Sequence, residues 1–274
     1  MSQGSVIVAS DPQLASAGMA AEDWSDRASS FGAIAEDYDR FRPGPPSDAV
    51  DWVLSRPCET AVDIGAGTGA LTRALVSRVR NVIAVEPDPR MSAVLAARVA
   101  HADGLIGTAE ALPLRNASVD AVVGSSMWHW VDEARAASEA ARVLRPGGIL
   151  GLLWSGPDRS RGLLADLFTG QGQALAPRTG DNTARRHRHE VHLPTDVPFA
   201  TPETRILRWS MPMTPEQVVG LAGTYSGFIV LPEAERTRVR DQLGDIVRNH
   251  PTLAGQKTIE LPMRCTCWRA FRHT

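Results

Sequence analysis

Asp63, Gly65, Ala66, Gly67, Thr68 and Gly69, in the stretch AVDIGAGTGALTRAL, together with Glu86, are residues whose types and spacing could do chemistry. Gly65 to Ala70 fits the loose G-x-G-x-x-[GA] pattern of a dinucleotide turn, and Glu86 stands where such a turn places a ribose-binding acid. Ala70 and Leu71 follow Gly69, so the Gly-Lys-Ser/Thr ending of a phosphate-cradling loop is missing and that reading is excluded. Asp63 lies just ahead of the first glycine, where a carboxylate would repel an arriving pyrophosphate. It suits a cationic ligand instead.

Such a loop needs a strand to lead into it and a helix to leave it. ETAVDIG is a short apolar run ending at the glycines, and GALTRALVSRV restores helical spacing. NVIAVEPD, ADGLIGTAE, SVDAVVGSS and ILGLLWSG read as four more strands. PRMSAVLAARVA and DEARAASEAARVL read as helices, the second stopped by RPGG. Strands alternating with helices predict an α/β fold, a mostly parallel sheet covered on both faces.

Upstream, Trp24, Ala28, Phe31, Ile34, Ala35, Tyr38 and Phe41 recur at helical spacing until RPGPP, and Asp48 to Leu54 forms one more helix. Between Pro157 and Pro198 the alternation lapses. There RGLLADLFTGQGQAL reads as helical and PRTGDNTARRHRHEVHLPTDVP as a polar, basic connection. TPETRILRWSM returns as a strand, two proline-opened helices follow, and TIELPMRCTCWRAFR is the last strand, with Pro262 predicting an edge position or a bulge. Four segments result: an arm and helical cap over 1–57, a cofactor-binding core over 58–156, a lid or insertion over 157–198, and strands and helices over 199–274 that complete the sheet and acceptor pocket.

Composition narrows the class further. Hydrophobic residues are 43% and charged residues 22%, the proportions of an ordinary globular protein. Lys plus Arg number 29 against 31 Asp plus Glu, so no excess of cations exists to neutralise a nucleic-acid backbone, and nucleic acid is not an expected partner. The apolar run Val6 to Ala9 is too short for a signal-peptide core and has no basic residue before it, no later run is long enough for a membrane span, and the chain is read as cytoplasmic. Cys58, Cys265 and Cys267 are read as reduced, inert thiols, and RRHRHEVH as a solvated loop rather than a metal site, so no metal is expected. No heptad or edge pattern sets an oligomeric state.

VDIGAGTG, VEPDPRM, GTAEALPL, SVDAVVGSSMWHWVD and RVLRPGG, in that order, resemble the motifs of the class I S-adenosylmethionine-dependent methyltransferases. The resemblance runs from about Phe31 to Ser155, and more weakly to the end. It implies a Rossmann-like, doubly wound, seven-stranded and mostly parallel sheet with a final antiparallel strand, plus an N-terminal helical segment and a helical insertion. By this resemblance Asp63 accepts from the amino group of the methionine moiety, the Gly65–Ala66–Gly67–Thr68 backbone passes beneath S-adenosylmethionine, and Glu86, followed by Pro87, accepts from both ribose hydroxyls. Thr108 stands where the family usually has an acid for the adenine amine, Ala109 offers its backbone there, and Glu110 is either a ligand or a loop brace. Met91 covers the adenine or is core. Tyr38 and Arg42, in FGAIAEDYDRFRPGPP, close over the cofactor or pack the helix.

Methyl transfer is an in-line displacement, so the acceptor atom must be held ~3 to 3.5 Å from the methyl group, opposite the sulfur. Parallel sheets present their ligand crevice beyond the carboxyl ends of the strands, which puts SSMWHWVD at the reaction centre. Ser125 then lines the cofactor, while Trp128, His129 and Trp130 shape the acceptor pocket. His129 is the candidate base, as the side chain that titrates near neutrality, with an orienting donor or spacer as the other reading. Trp130 is equally read as packing under the sheet.

The HW pair resembles a subgroup containing trans-aconitate and malonyl-carrier-protein carboxyl methyltransferases. That likeness implies a carboxylate acceptor, to which His129 would donate, and GTYSGFIVLPEAER resembles the subgroup segment in which a residue near Tyr225 faces the acceptor, the other reading of Tyr225 being a core aromatic. SSMWHW stands where nucleic-acid amino-methyltransferases carry Asn/Asp-Pro-Pro-aromatic, so a small-molecule acceptor is expected. A nicotinamide oxidoreductase and a non-catalytic cofactor-binding relative are the rival readings.

Overall fold

The computed structural model describes residues 31–158, 160, 190–249 and 255–274. The first part of the predicted cap helix, the helical reading of RGLLADLFTGQGQAL and most of RRHRHEVH, including His187 and His189, lie outside the described residues.

A single sheet organises the chain, with strand order β3-β2-β1-β4-β5-β7-β6. Its strands are β1 (Thr60–Ile64), β2 (Asn81–Glu86), β3 (Asp103–Ile106), β4 (Val119–Ser125), β5 (Leu144–Pro157), β6 (Glu203–Met213) and β7 (Ile259–Phe271). The first five run parallel, and β7 is antiparallel to both β5 and β6. This is the doubly wound, seven-stranded sheet with a final antiparallel strand that the sequence motifs imply.

The central strands β1 and β4 are almost wholly buried, which is why TAVDI and VDAVVGS are near-continuous runs of Val, Ile and Ala. One face packs Val62, Ile64, Val122, Leu150, Leu152, Trp154 and Trp268 against α5 (Glu133–Val143), whose inward stripe is Ala136, Ala137, Ala140 and Val143. Asp132 caps that helix by accepting from the Arg135 amide at 3.1 Å. On the other face Ala61, Val123, Ile149, Leu153, Cys265 and Cys267 meet α2 (Ser47–Val53) and α3 (Ala70–Leu75). Small residues set that fit, since a side chain at Gly151 would overlap Val53.

Five further helices complete the described residues. The cap helix α1 (Ala35–Phe41), entered by a 3-10 turn at Phe31–Ile34, meets α4 (Pro89–Arg98) and α6 (Pro215–Gly223), where a Cβ at Gly220 would lie 2.5 Å from the Phe41 ring. The short α7 (Ser226–Ile229) follows, then α8 (Glu233–Asn249), which packs on α6 through Leu243 and Val247. Among the described residues no helix is long and apolar enough to cross a membrane.

Pro262 corrects one expectation, because β7 is interior to the sheet rather than at its edge. β5 stops opposite Met263, and the Pro262 carbonyl, which shares its side of the strand with the missing N–H, accepts from Asp158 at 2.8 Å. The proline therefore sits where its strand has already lost one neighbour.

Candidate active site

Chain order reverses between β1 and β4: β2 and β3 build outward on one side of β1, and β4 returns to the other. The crevice at such a switch point opens beyond the carboxyl ends of the strands. Asp63, Glu86 and Ser125 all stand at those ends.

Asp63 is 1% exposed. Its Oδ2 accepts from the Thr72 hydroxyl at 2.6 Å, while its Oδ1 is buried with no hydrogen-bond partner. Burial pushes this carboxyl up to about 7; the Thr72 hydrogen bond opposes the rise, and the nearby Glu86 charge adds to it. A buried carboxylate with a vacant lone pair is costly unless a positive donor meets it. The sequence reading missed Thr72; its signal was a hydroxyl on the buried face of α3, between Leu71 and Leu75.

Glu86 is held by backbone alone. Its Oε2 accepts from the Gly67 amide at 2.8 Å and its Oε1 from the Asp88 amide at 3.0 Å. Burial raises this carboxyl above the usual glutamate range, and the two amide bonds pull against that rise. The Gly67 amide can reach it because Gly67 is left-handed, at φ +57°. At Gly65 the need is different: a Cβ there would lie 2.8 Å from the Met127 Cβ, so the absent side chain lets the turn after β4 close on the loop. Thr68 is buried, with its hydroxyl unpartnered.

Met91 is buried among Ala35, Val94, Phe31 and Tyr38, and its methyl would be 3.5 Å from a Cβ at Gly67. It thus joins cap and glycine loop. Asp39 on α1 pairs with Arg73 of α3 at 2.9 Å and approaches Arg98 of α4 at 3.7 Å. Asp88, the cap of α4, accepts from the Arg90 amide at 2.9 Å and pairs with its guanidinium at 2.7 Å. Gly32 lies so close that a Cβ there would overlap both Asp88 and Arg90.

After β4 the chain turns sharply, with Ser126 at φ +57° and its amide donating to Leu153 at 2.8 Å. Trp128–Trp130 then form a 3-10 turn. Trp128 is 1% exposed and packed in the core, so the structure does not place it in the wall of an open pocket. His129 and Trp130 are half-buried, with ring centroids 4.9 Å apart, and Phe31 meets Trp130 edge-on at 5.9 Å. Trp130 therefore faces the cap rather than the space beneath the sheet.

Arg42 does something the sequence did not show. Its Nε donates to the Thr224 hydroxyl at 3.0 Å and its Nη2 to the Thr224 carbonyl at 3.2 Å. The guanidinium lies 4.2 Å from the Tyr225 ring centroid and 5.3 Å from that of Tyr38. Cap and C-terminal helices are joined there. Glu110 accepts from the Asp132 amide at 2.9 Å, the loop-brace role, whereas Pro87 and Thr108 are exposed and Ala109 is buried. Among the described residues no group of His, Cys, Asp and Glu could hold a metal ion.

The model of the methyltransferase domain family matches residues 62–152, the stretch carrying Asp63, Glu86 and His129. An uncharacterized methyltransferase of Mycobacterium tuberculosis is 40% identical over 245 residues, covering 89% of this chain and 96% of that one. The chain belongs to the class I methyltransferases. A malonyl-[acyl-carrier protein] O-methyltransferase of Methylococcus capsulatus is 36% identical to this methyltransferase over 132 residues, 44% of this chain and 48% of that one. A solved structure from Anaeromyxobacter dehalogenans, described as a candidate type II methyltransferase, superposes on the methyltransferase with a TM-score of 0.60. It is 25% identical and covers 85% of this chain and 98% of its own.

Proposed function

We propose that this methyltransferase moves the methyl group of S-adenosylmethionine to an oxygen, a carboxylate or hydroxyl, of a small-molecule acceptor. One observation carries the cofactor assignment: Asp63 Oδ1 is a buried, unpartnered carboxylate oxygen at the mouth of the glycine loop. An α-ammonium group supplies the positive donor that this oxygen lacks. A pyrophosphate at the glycine loop would instead meet the buried Asp63 carboxylate.

S-adenosylmethionine, when bound, supplies the methyl group and the sulfonium leaving group. Asp63 anchors the methionine end, with Thr72 fixing which oxygen faces the ligand. Glu86, fixed by two amides, offers its remaining lone pairs to the ribose hydroxyls. Met91 and Tyr38 exclude water from the loop side. Ser125 lines the crevice between them and the acceptor.

At the acceptor side, His129 either donates a hydrogen bond that orients a carboxylate already ionised, or removes the proton of a hydroxyl. Trp130, its ring 4.9 Å from that of His129, stands beside it. Partial similarity to the malonyl-[acyl-carrier protein] O-methyltransferase supports an oxygen acceptor.

Calorimetry with S-adenosylmethionine, S-adenosylhomocysteine and NAD tests the assignment. Binding of the two sulfur nucleosides, and not of NAD, is the expected result; binding of NAD alone would overturn it. Mass spectrometry of small acids and alcohols incubated with enzyme and methyl donor then locates the transferred group. Methylation confined to nitrogen or carbon would remove the oxygen acceptor.

A further inference from the structure

The sheet is level along one row, in which Ile64, Gly124, Leu152 and Trp268 lie side by side on four strands. β1 and β4 end at or just past that row, but β5 continues to Pro157 with β7 paired beside it. At ~3.3 Å per residue, the Gly156–Arg264 pair stands roughly 13 Å above the row, on the side toward which the crevice opens. The corner β5-β7-β6 is thus a wall beside the acceptor space.

Arg264 stands in that wall. It is half-buried, and its Nε is fully buried with no hydrogen-bond partner. Across β6 its register partner is Arg208, so two like charges are directly opposed, a destabilising arrangement. Arg208 is offset by Asp158 at 3.0 Å, itself 2% exposed. Among the described residues Arg264 has no carboxylate partner. Opposite it on β5, Gly156 has no side chain to fill the space, and the nearest atom to a Cβ there is the Tyr225 hydroxyl at 3.5 Å. A buried guanidinium donor beside a glycine notch, at the residue expected to face the acceptor, is what an oxyanion would complete.

We propose that Arg264 is a specificity-determining residue, binding an oxyanion of the acceptor remote from the atom that receives the methyl group. The proposal rests on the small-molecule reading of the acceptor space given above. A guanidinium on the attacking oxygen itself would draw electron density from it, so the anion at Arg264 is a handle and not the nucleophile. Arg42, stacked on Tyr225, adds positive potential at the same corner. Acceptors with a charged group beyond the reacting oxygen are therefore preferred over neutral homologues.

The test uses the full chain saturated with S-adenosylhomocysteine at fixed ionic strength, titrated with inorganic phosphate, succinate and neutral succinamide. Wild type is expected to bind an oxyanion and not succinamide. Arg264→Gln should weaken that binding about tenfold to a hundredfold, Arg264→Lys should keep part of it, and the exposed Arg238→Gln should match wild type. Retained S-adenosylhomocysteine binding shows that each variant is folded. Equal binding by Arg264→Gln, or no oxyanion binding by wild type, overturns the proposal. Methyl transfer separates it from the functional reading. An unchanged KM for an anionic acceptor in Arg264→Gln sinks the inference and leaves the function standing, whereas Arg264-dependent anion binding without methyl transfer does the reverse.

Discussion

The two halves of the crevice are built by different means. On the β1–β2 side, Asp63 and Glu86 are buried and fixed by a hydroxyl and two amides lying within one strand-loop-helix unit and its neighbour. On the β5-β7-β6 side, Tyr225, Arg42 and Arg264 come from elements far apart in sequence, and side chains do the holding. Buried carboxylates fixed within one local unit tolerate little change of ligand. Side chains on distant elements can be exchanged one at a time, so on the proposed function the second half is where an acceptor can be altered without disturbing the cofactor.

Asp63→Ala should break this comparison most severely if it is right. Loss of a charge pair closed by the ligand costs about 3 kcal/mol or more, so S-adenosylmethionine binding should fall about a hundredfold or beyond detection by calorimetry. Tight binding by the variant would remove Asp63 from the site. His129→Ala should act only on the other half, leaving cofactor binding intact while turnover drops about a hundredfold. Unchanged turnover would reduce His129 to packing.

A pH series sharpens the contrast further. With Asp63 lifted to about 7 in the free protein, cofactor binding must expel a proton below that pH. Affinity should then decline by up to about tenfold per unit as pH falls below 7 and level off above it. The same shift has the opposite sign for the empty fold: a raised carboxyl stabilises it below about pH 4, and that contribution is lost as pH rises through 7. Asp63→Asn should accordingly unfold no earlier than wild type at pH 8, even though it no longer binds. A flat affinity profile between pH 5 and 8 would contradict the assignment.

The smallest effect belongs to the joint between the halves. Thr224→Val removes one hydrogen bond to Arg42, worth about 1 kcal/mol, and should raise the acceptor KM a few-fold with little change in cofactor affinity. An equal loss in both would show that the cap acts on the crevice as a whole.

Much of the first half was legible in the sequence because its signals are local. A strand of apolar residues, glycines that need positive φ and an acid at each strand end all fall within one stretch of chain. Thr72 escaped notice because a threonine on a helix looks ordinary until the helix's buried face is known. The second half resisted for the opposite reason. Arg42 meeting Thr224 and Arg264 facing Arg208 depend on strand order and register, which neither spacing nor composition encodes. Trp128 and Trp130 show the same limit within three residues: a 3-10 turn sends one ring into the core and the other toward the cap.

Gly32, at the start of the cap stretch, lets the cap approach α4 closely. A methyl group at that position would strike the Asp88 carboxylate and the Arg90 guanidinium, so the ion pair beside the start of α4 would have to shift. A saturation scan scored by growth or activity would therefore find an intolerant site well outside the loop that names the family. Engineers who transplant this cap onto a related core must carry the glycine with it.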